Sequence, residues 1–221
     1  DDFISGQELC EELHVSRTAV WKTINHLKED GYEIQAVSRK GYKILSSPDQ
    51  ITGEEVGARL RTKRLGGEIH YYESIDSTNN EAKRLAEQGA PHGTLVLAEK
   101  QEKGKGRRGR VWDTPGGSSI AMSLLLRPSL APGHASMVTL VMGLAAARAC
   151  RELCGVEAEI KWPNDIVVNG RKICGILTEM SAEMDCINYL VVGTGINVNQ
   201  QSFPEEIQDV AASLLGSSGK K

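Results

Sequence analysis

The chain lacks an unbroken apolar run of about 18 residues, and it lacks the charged start, short apolar stretch and small-residue cleavage site of an export signal. Both absences argue for a soluble protein with no membrane partner; the cytoplasmic setting is read from the cysteines. It also lacks metal-ligand spacing. The five cysteines (10, 150, 154, 174 and 186) are odd in number and form no C-x-x-C or Cys/His pattern, which fits a reducing compartment and argues against a disulfide frame. Cys150 and Cys154, at i, i+4 on a predicted helix, read as small apolar packing residues. A net charge of −3 excludes a uniformly basic nucleic-acid binder, so any such surface must be local. Internal repeats and low-complexity segments are absent too.

What remains is ordinary globular composition over 221 residues, enough for one large domain and one small one at about 150 residues per domain. The small one comes first. Ser5-Gly6-Gln7-Glu8 has the S-x-x-E form of a capping box ahead of Leu9 and Leu13, which predicts a helix over about 6–13. His14-Val15-Ser16 then turns, with Ser16 capping a second helix whose stripe Val20, Ile24, Leu27 ends at Gly31. At ~100° per residue, Arg17, Thr18, Trp21, Lys22 and Asn25 fall away from that stripe. The segment YEIQAVSRKGYKI alternates as two strands around a turn that exposes Arg39 and Lys40. Helix, turn, helix and β-wing over residues 1–46 resemble the winged helix-turn-helix of bacterial repressors. Charge agrees: residues 1–14 hold five acids and no Lys or Arg, whereas 15–45 hold six bases and three acids. A winged helix used for protein contacts, or a plain helical hairpin, is the alternative.

Residues 47–66 read as a linker with a helical centre, bounded by Ser, Pro and Gly. From 67 to 221 the pattern alternates. Strands are predicted at EIHYYESI, GTLVLAEKQ, SIAMSLLLRP, AEIKWPND, IVVNGRKICGILTEM and INYLVVGTGINVN, with helices at STNNEAKRLAEQ and over 132–154. This is a mixed sheet with helices on it, an α/β (α+β) fold. The tail PEEIQDVAASLLGSSGKK is predicted as a helix fading into a polar end.

The most basic stretch, Gly104–Gly109 (GKGRRG), spells G-x-G-x-x-G. A dinucleotide fingerprint must open a helix and be followed ~20 residues on by an acid. Arg-Val-Trp-Asp-Thr-Pro follows instead, and no acid stands near 124–130. A phosphate-cradling G-x-x-x-x-G-K-[ST] loop fails as well, because Arg110-Val111 follows Gly109. A nucleic-acid arm, a solvated loop and a lid over an anionic small ligand remain open on these residues alone.

Five segments in register carry a resemblance: the winged helix, DSTNNEA, KQEKGKGRRGRVWDTP, KWPNDIVVNGRKICGIL and VVGTGINVN. Together they are similar to the bacterial family of bifunctional biotin–protein ligases and biotin operon repressors, and the likeness covers nearly the whole chain. It implies a class II synthetase-like catalytic domain behind the winged helix. Activity would be ATP- and Mg²⁺-dependent formation of biotinyl-5′-AMP, then transfer of biotin to a lysine of a biotin carboxyl carrier protein domain. The adenylate-bound homodimer would bind operator DNA and repress biotin genes. Such chemistry uses no covalent enzyme nucleophile, so the demand is positional and electrostatic.

By the family's pattern, Ser77, Thr78, Asn79 and Gln101 would contact biotin; Thr78-x-x-Glu81 also has capping-box form. Lys105, Gly106 and Arg107 would lie along the biotin carboxylate and α-phosphate, Lys105 standing where the family commonly has arginine. Arg107 and Lys172 would be the catalytic cations. Arg110, Trp112, Lys161, Asn164, Asp165 and Asn197 would serve ATP or the adenylate, with Trp112 over adenine and Asp165 the candidate neighbour of Mg²⁺. The resemblance further implies a helix ahead of Ser5 and a small SH3-like domain after Lys221, neither within this sequence. Two rivals stand beside this reading: a related ligase for another carboxylate such as lipoate, and a regulator that senses biotin or its adenylate without transfer.

Overall fold

In a computed structural model that describes residues 3–219, the chain divides after Asp49 into two units. The first holds α1 (Gly6–Leu13), α2 (Arg17–Glu29), β1 (Glu33–Val37) and β2 (Gly41–Ser46). Both helices start where a side-chain oxygen takes an otherwise unpaired amide: Ser5 accepts from Glu8 N and Ser16 from Ala19 N. The hairpin β1–β2 is antiparallel, and Ile4 adds a third rung through reciprocal 2.9 Å bonds with Tyr42. Val20 and Ile34 are the buried centre, with Ile24 and Leu27 half-buried beside them. The predicted stripe therefore faces inward.

The second unit is a seven-stranded sheet of order β3-β4-β5-β9-β8-β7-β6. Its strands are β3 (Ile69–Ile75), β4 (Leu95–Gln101), β5 (Ser119–Leu126), β6 (Glu159–Lys161), β7 (Asp165–Val168), β8 (Arg171–Ala182) and β9 (Ile187–Asn197). Only β3 and β4 are parallel, joined by α4 (Thr78–Glu87); the other pairs are antiparallel. Asn169-Gly170, both at positive φ, makes the tight β7–β8 hairpin. Alternation along the central strands serves two cores. Val96, Leu125 and Val191 meet Ala82 and Ala86 of α4, while Leu124, Leu126, Leu190 and Val192 face the side of α5 (Ala135–Cys154).

Two expectations are revised. The 47–66 segment does not stand apart as a linker: α3 (Gly53–Arg59) belongs to the second unit, where Ile51 and Val56 pack on the Leu95–Leu97–Leu124 cluster. Apolar burial outweighs the Gly and Pro at its ends. The tail is not one helix. Residues 205–210 form turns, Ala211 bridges to Lys172, and only α6 (Leu214–Ser218) is helical, capped by Ser213; the final lysines lie outside the described residues. Backbone pairing with β8 draws the chain straight where periodicity alone suggested a helix.

Gly41 has φ +113°, and a methyl group there would overlap the Ile4 carbonyl. We predict that Gly41→Ala destabilises the winged unit by roughly 1–3 kcal/mol, read as a lower denaturant midpoint from Trp21 fluorescence; an unchanged midpoint would contradict this packing.

Candidate active site

Three glycines stand in the sheet where α4 begins. Across β5, β9 and β8 the register aligns Ala121, Gly195 and Gly175, and beside them Ser123, Gly193 and Leu177. The result is a recessed floor bordered by the first residues of α4, the lid over 102–114 and the β7–β8 hairpin. Ser77, Thr78, Asn79, Gln101, Lys105, Gly106, Arg107, Trp112, Asn164 and Lys172 all line this one cleft. Residues separated by up to 95 positions (77 to 172) thus converge.

The wall on the α4 side is a continuous polar chain. Gln101 Oε1 accepts from both the amide (2.9 Å) and the hydroxyl (3.0 Å) of Thr78, and its Nε2 donates to Thr114 at 3.0 Å. Ser123 Oγ lies 2.8 Å from Thr78 Oγ1 and 2.6 Å from Asn79 Oδ1. Asn79 Nδ2 donates to Glu179 at 2.8 Å, and Glu179 pairs with Lys83 at 2.8 Å. Burial by itself would raise the Glu179 carboxyl, but the bonds from Lys83 and Asn79 outweigh it and hold its pKa below the usual value. Thr78 does not cap α4; Ser77 occupies the N-cap position without a side-chain cap bond, and the Thr78 hydroxyl is spent on the cleft wall. The capping-box reading of Thr78-x-x-Glu81 is corrected accordingly.

The opposite wall is cationic. Lys172 Nζ sits 2.7 Å from Asp165 and 5.4 Å from the centre of the Trp112 ring. Arg107 donates to Asn164 Oδ1 at 2.8 Å, while Asn164 Nδ2 binds the Ile176 carbonyl at 2.9 Å. Lys105 donates to Asn80 Oδ1 at 2.6 Å. The lid folds back on itself: Trp112 N donates to Gly104 O and Gly106 N to Arg110 O. A Cβ on Gly104 would overlap the Trp112 carbonyl, so that glycine serves a close backbone approach. The Trp112 indole lies over Gly175 and Gly195, and its N–H is buried without an acceptor.

Four expected site residues fall outside the cleft lining. Asn197 is buried and donates to Ala212 O at 3.1 Å, which makes it a tie between β9 and the tail. Asp165 touches the site through Lys172. Lys161 is exposed on β6, and Arg110 is exposed on the lid beside Trp112. The sequence reading in turn missed Ser123, Glu179, Thr114 and Asn80. A serine within the apolar run of β5 was the available signal for Ser123. Groups of three or more His, Cys, Asp or Glu able to cage a metal are absent among the described residues. Cys174 is no nucleophile: burial pushes its thiol far up. In the winged unit, Arg17, Thr18, Trp21, Lys22, Arg39 and Lys40 are exposed, Asn25 is half-buried, and Arg17 donates to Gln7 Oε1 at 2.8 Å.

Fold and cleft define an α/β ligase domain joined to a winged helix, and comparison supplies the family. Residues 71–197 match the biotin/lipoate A/B protein ligase family and residues 1–43 a helix-turn-helix domain. The chain belongs to that ligase family. It is 46% identical to the bifunctional ligase/repressor BirA of Bacillus spizizenii over 100% of this chain and 68% of that protein. With the Escherichia coli protein of the same name, identity is 32% over 93% of this chain and 63% of the other. Among solved structures, the Aquifex aeolicus biotin protein ligase in complex with biotin and ATP matches with a TM-score of 0.59 and 35% identity, covering 70% of this chain and 62% of that one. The chain thus spans about two thirds of the length of these relatives.

A Cβ at residue 195 would overlap the Trp112 ring. In a background with Trp21 and Trp162 replaced by Phe, Gly195→Ala is expected to red-shift the remaining Trp112 emission as the ring is pushed toward water. An unshifted spectrum would refute this seating of the indole.

Proposed function

We propose that this chain activates biotin with ATP to biotinyl-5′-AMP and passes biotin to a lysine of an acceptor carboxylase subunit, and that its winged helix makes the adenylate-bound dimer a repressor of biotin genes. The observation that carries this is the single cleft in which a neutral hydrogen-bonding wall (Ser77, Thr78, Asn79, Gln101) faces three cations (Lys105, Arg107, Lys172) across a floor of small residues. A ligand with a polar uncharged ring at one end and a carboxylate at the other matches that division.

The biotin carboxylate attacks the α-phosphorus, a C–O–P bond forms, and pyrophosphate leaves. Two anions must approach, so the chief task of the protein is to neutralise and align them. Arg107 and Lys172 do so from opposite supports, a lid and a hairpin. Their present partners, Asn164 and Asp165, hold both head groups at the cleft until the anionic ligand competes for them. The buried Trp112 N–H gains an acceptor when a ligand arrives, and the indole face offers a stacking surface for adenine. An acceptor lysine amine then attacks the acyl carbon and AMP departs.

Magnesium fits as a companion of the nucleotide. Asp165 and Asn164 are the nearby oxygen donors, paired here with Lys172 and Arg107, and would hold the ion once the phosphates draw those two cations away. Bound there, it would supply charge neutralisation of the phosphates. No helix among the described residues is long and apolar enough to cross a membrane. The five free cysteines support a cytoplasmic setting.

Two measurements test the reading. With labelled biotin, ATP and an acceptor domain, transfer is expected from the intact protein, and Arg107→Ala or Lys172→Ala should lower it by roughly 10²–10³-fold. Full activity in both variants would overturn the mechanism. For DNA, Lys22→Ala and Arg39→Ala should each weaken operator binding and flatten the salt dependence by about one unit, with adenylate synthesis unchanged. Parallel loss of both activities would refute the assignment of those side chains to DNA.

A further inference from the structure

The polar wall of the cleft does not end at the cleft. It continues through Asn79 to Glu179 on β8 and Lys83 on α4, neither of which lines the ligand space. Counting protons along the chain shows what that extension does. An ionised carboxylate only accepts, and Lys83 and Asn79 each take one oxygen of Glu179. The Asn79 amide must then turn Nδ2 toward Glu179, on the side where it also donates to the Leu177 carbonyl at 3.3 Å, and Oδ1 toward Ser123. That Oδ1 is itself only an acceptor, so the single hydroxyl proton of Ser123 is directed to it across 2.6 Å. With that proton committed, the 2.8 Å contact between Ser123 and Thr78 is satisfied only by the Thr78 proton, which otherwise goes to Gln101 at 3.0 Å. Either way the Thr78 proton points into the wall. Toward the cleft, Thr78 offers lone pairs and no donor.

We propose that Glu179 is a positioning residue for the ring end of the substrate: through Asn79 and Ser123 it fixes Thr78 as a hydrogen-bond acceptor, the polarity that an N–H of a cyclic urea requires. The inference rests on biotin being the ligand. Ser123 is fully buried and Thr78 and Asn79 are 3% and 4% exposed, so solvent does not reset the pattern. Lys83 locks the other end. Replace Glu179 by glutamine and the Lys83 ammonium demands the amide oxygen, which leaves –NH₂ facing Asn79. Asn79 must then flip, giving up its 3.3 Å bond to the Leu177 carbonyl, Ser123 becomes its acceptor, and the Ser123 proton is released to Thr78, where it takes one of the two lone pairs the hydroxyl had offered.

The test is a pair of substitutions read by calorimetry with biotin alone and by ATP-dependent transfer. Glu179→Gln should weaken biotin binding roughly tenfold, the scale of one hydrogen bond, and raise KM for biotin in step, with KM for ATP unchanged. Adding Lys83→Met frees the glutamine to turn its oxygen back to Asn79 and should return biotin affinity to within about twofold of the original. Wild-type affinity in Glu179→Gln would overturn the proposal. So would a loss that Lys83→Met leaves unrepaired, or a joint rise of both KM values with a lowered unfolding temperature. Wild-type protein that binds biotin but forms no adenylate would sink the ligase reading and leave the binding test of Glu179 in force. Protein that does not bind biotin would sink both.

Discussion

Close approach of other groups to the bare backbone of β8 and β9 is the constraint on which the site depends. The sheet is covered by α4 only as far as that helix reaches, and beyond its first turn the strands carry Gly193, Gly195 and Gly175 in place of packing residues. A methyl group at 193 would overlap the Asn79 amide, and one at 195 would overlap the Trp112 indole. The polar wall and the aromatic cover therefore stand where they do because Gly193 and Gly195 leave room for them in the floor. The same strands bury Leu190, Val191 and Val192 a few residues earlier, so stability and vacancy are divided along a single strand.

Charge follows from this geometry. A recessed site with a neutral wall on one side screens poorly, so cations on the other side act strongly on a carboxylate or phosphate. Each of the three cations has a partner: Arg107 with Asn164, Lys105 with Asn80, Lys172 with Asp165. Two of those partners are neutral amides. They orient the head groups without cancelling their charge, which leaves the charge available to an incoming anion. Lys172, paired with a carboxylate and placed above the Trp112 ring, is the more tightly held of the two cations assigned to catalysis.

Local chemistry was legible in the sequence and long-range chemistry was less so. Caps at Ser5 and Ser16, the Asn169-Gly170 turn and alternation in the strands are set within a few residues, and the winged helix and sheet follow from them. The fate of Thr78 was not: a capping box is a local option, but the hydroxyl finds Gln101, 23 residues away, and Ser123. Asn197 read as a ligand contact by the family's pattern, whereas the tail 15 residues later takes its amide. The helix expected over the tail fails for the same reason, since the Lys172 backbone supplies pairing that no helical periodicity encodes.

That pairing also separates the roles of the two cations proposed for catalysis. The Lys172 amide donates to Val210 O at 2.7 Å, its carbonyl accepts from Ala212 N at 2.8 Å, and Asn197 grips the Ala212 carbonyl from β9. Lys172 is thus anchored from the sheet on one side and from the tail on the other. Arg107 stands on an exposed turn that closes on its own loop, through Arg110 N to the Arg107 carbonyl, Gly106 N to Arg110 O and Trp112 N to Gly104 O. A fixed cation can hold the reacting carboxylate in register, and one on a loop can follow the phosphate as it enters and pyrophosphate as it leaves. The glycines that made GKGRRG look like a dinucleotide fingerprint serve the second cation, by letting its loop fold back beneath the backbone of Trp112.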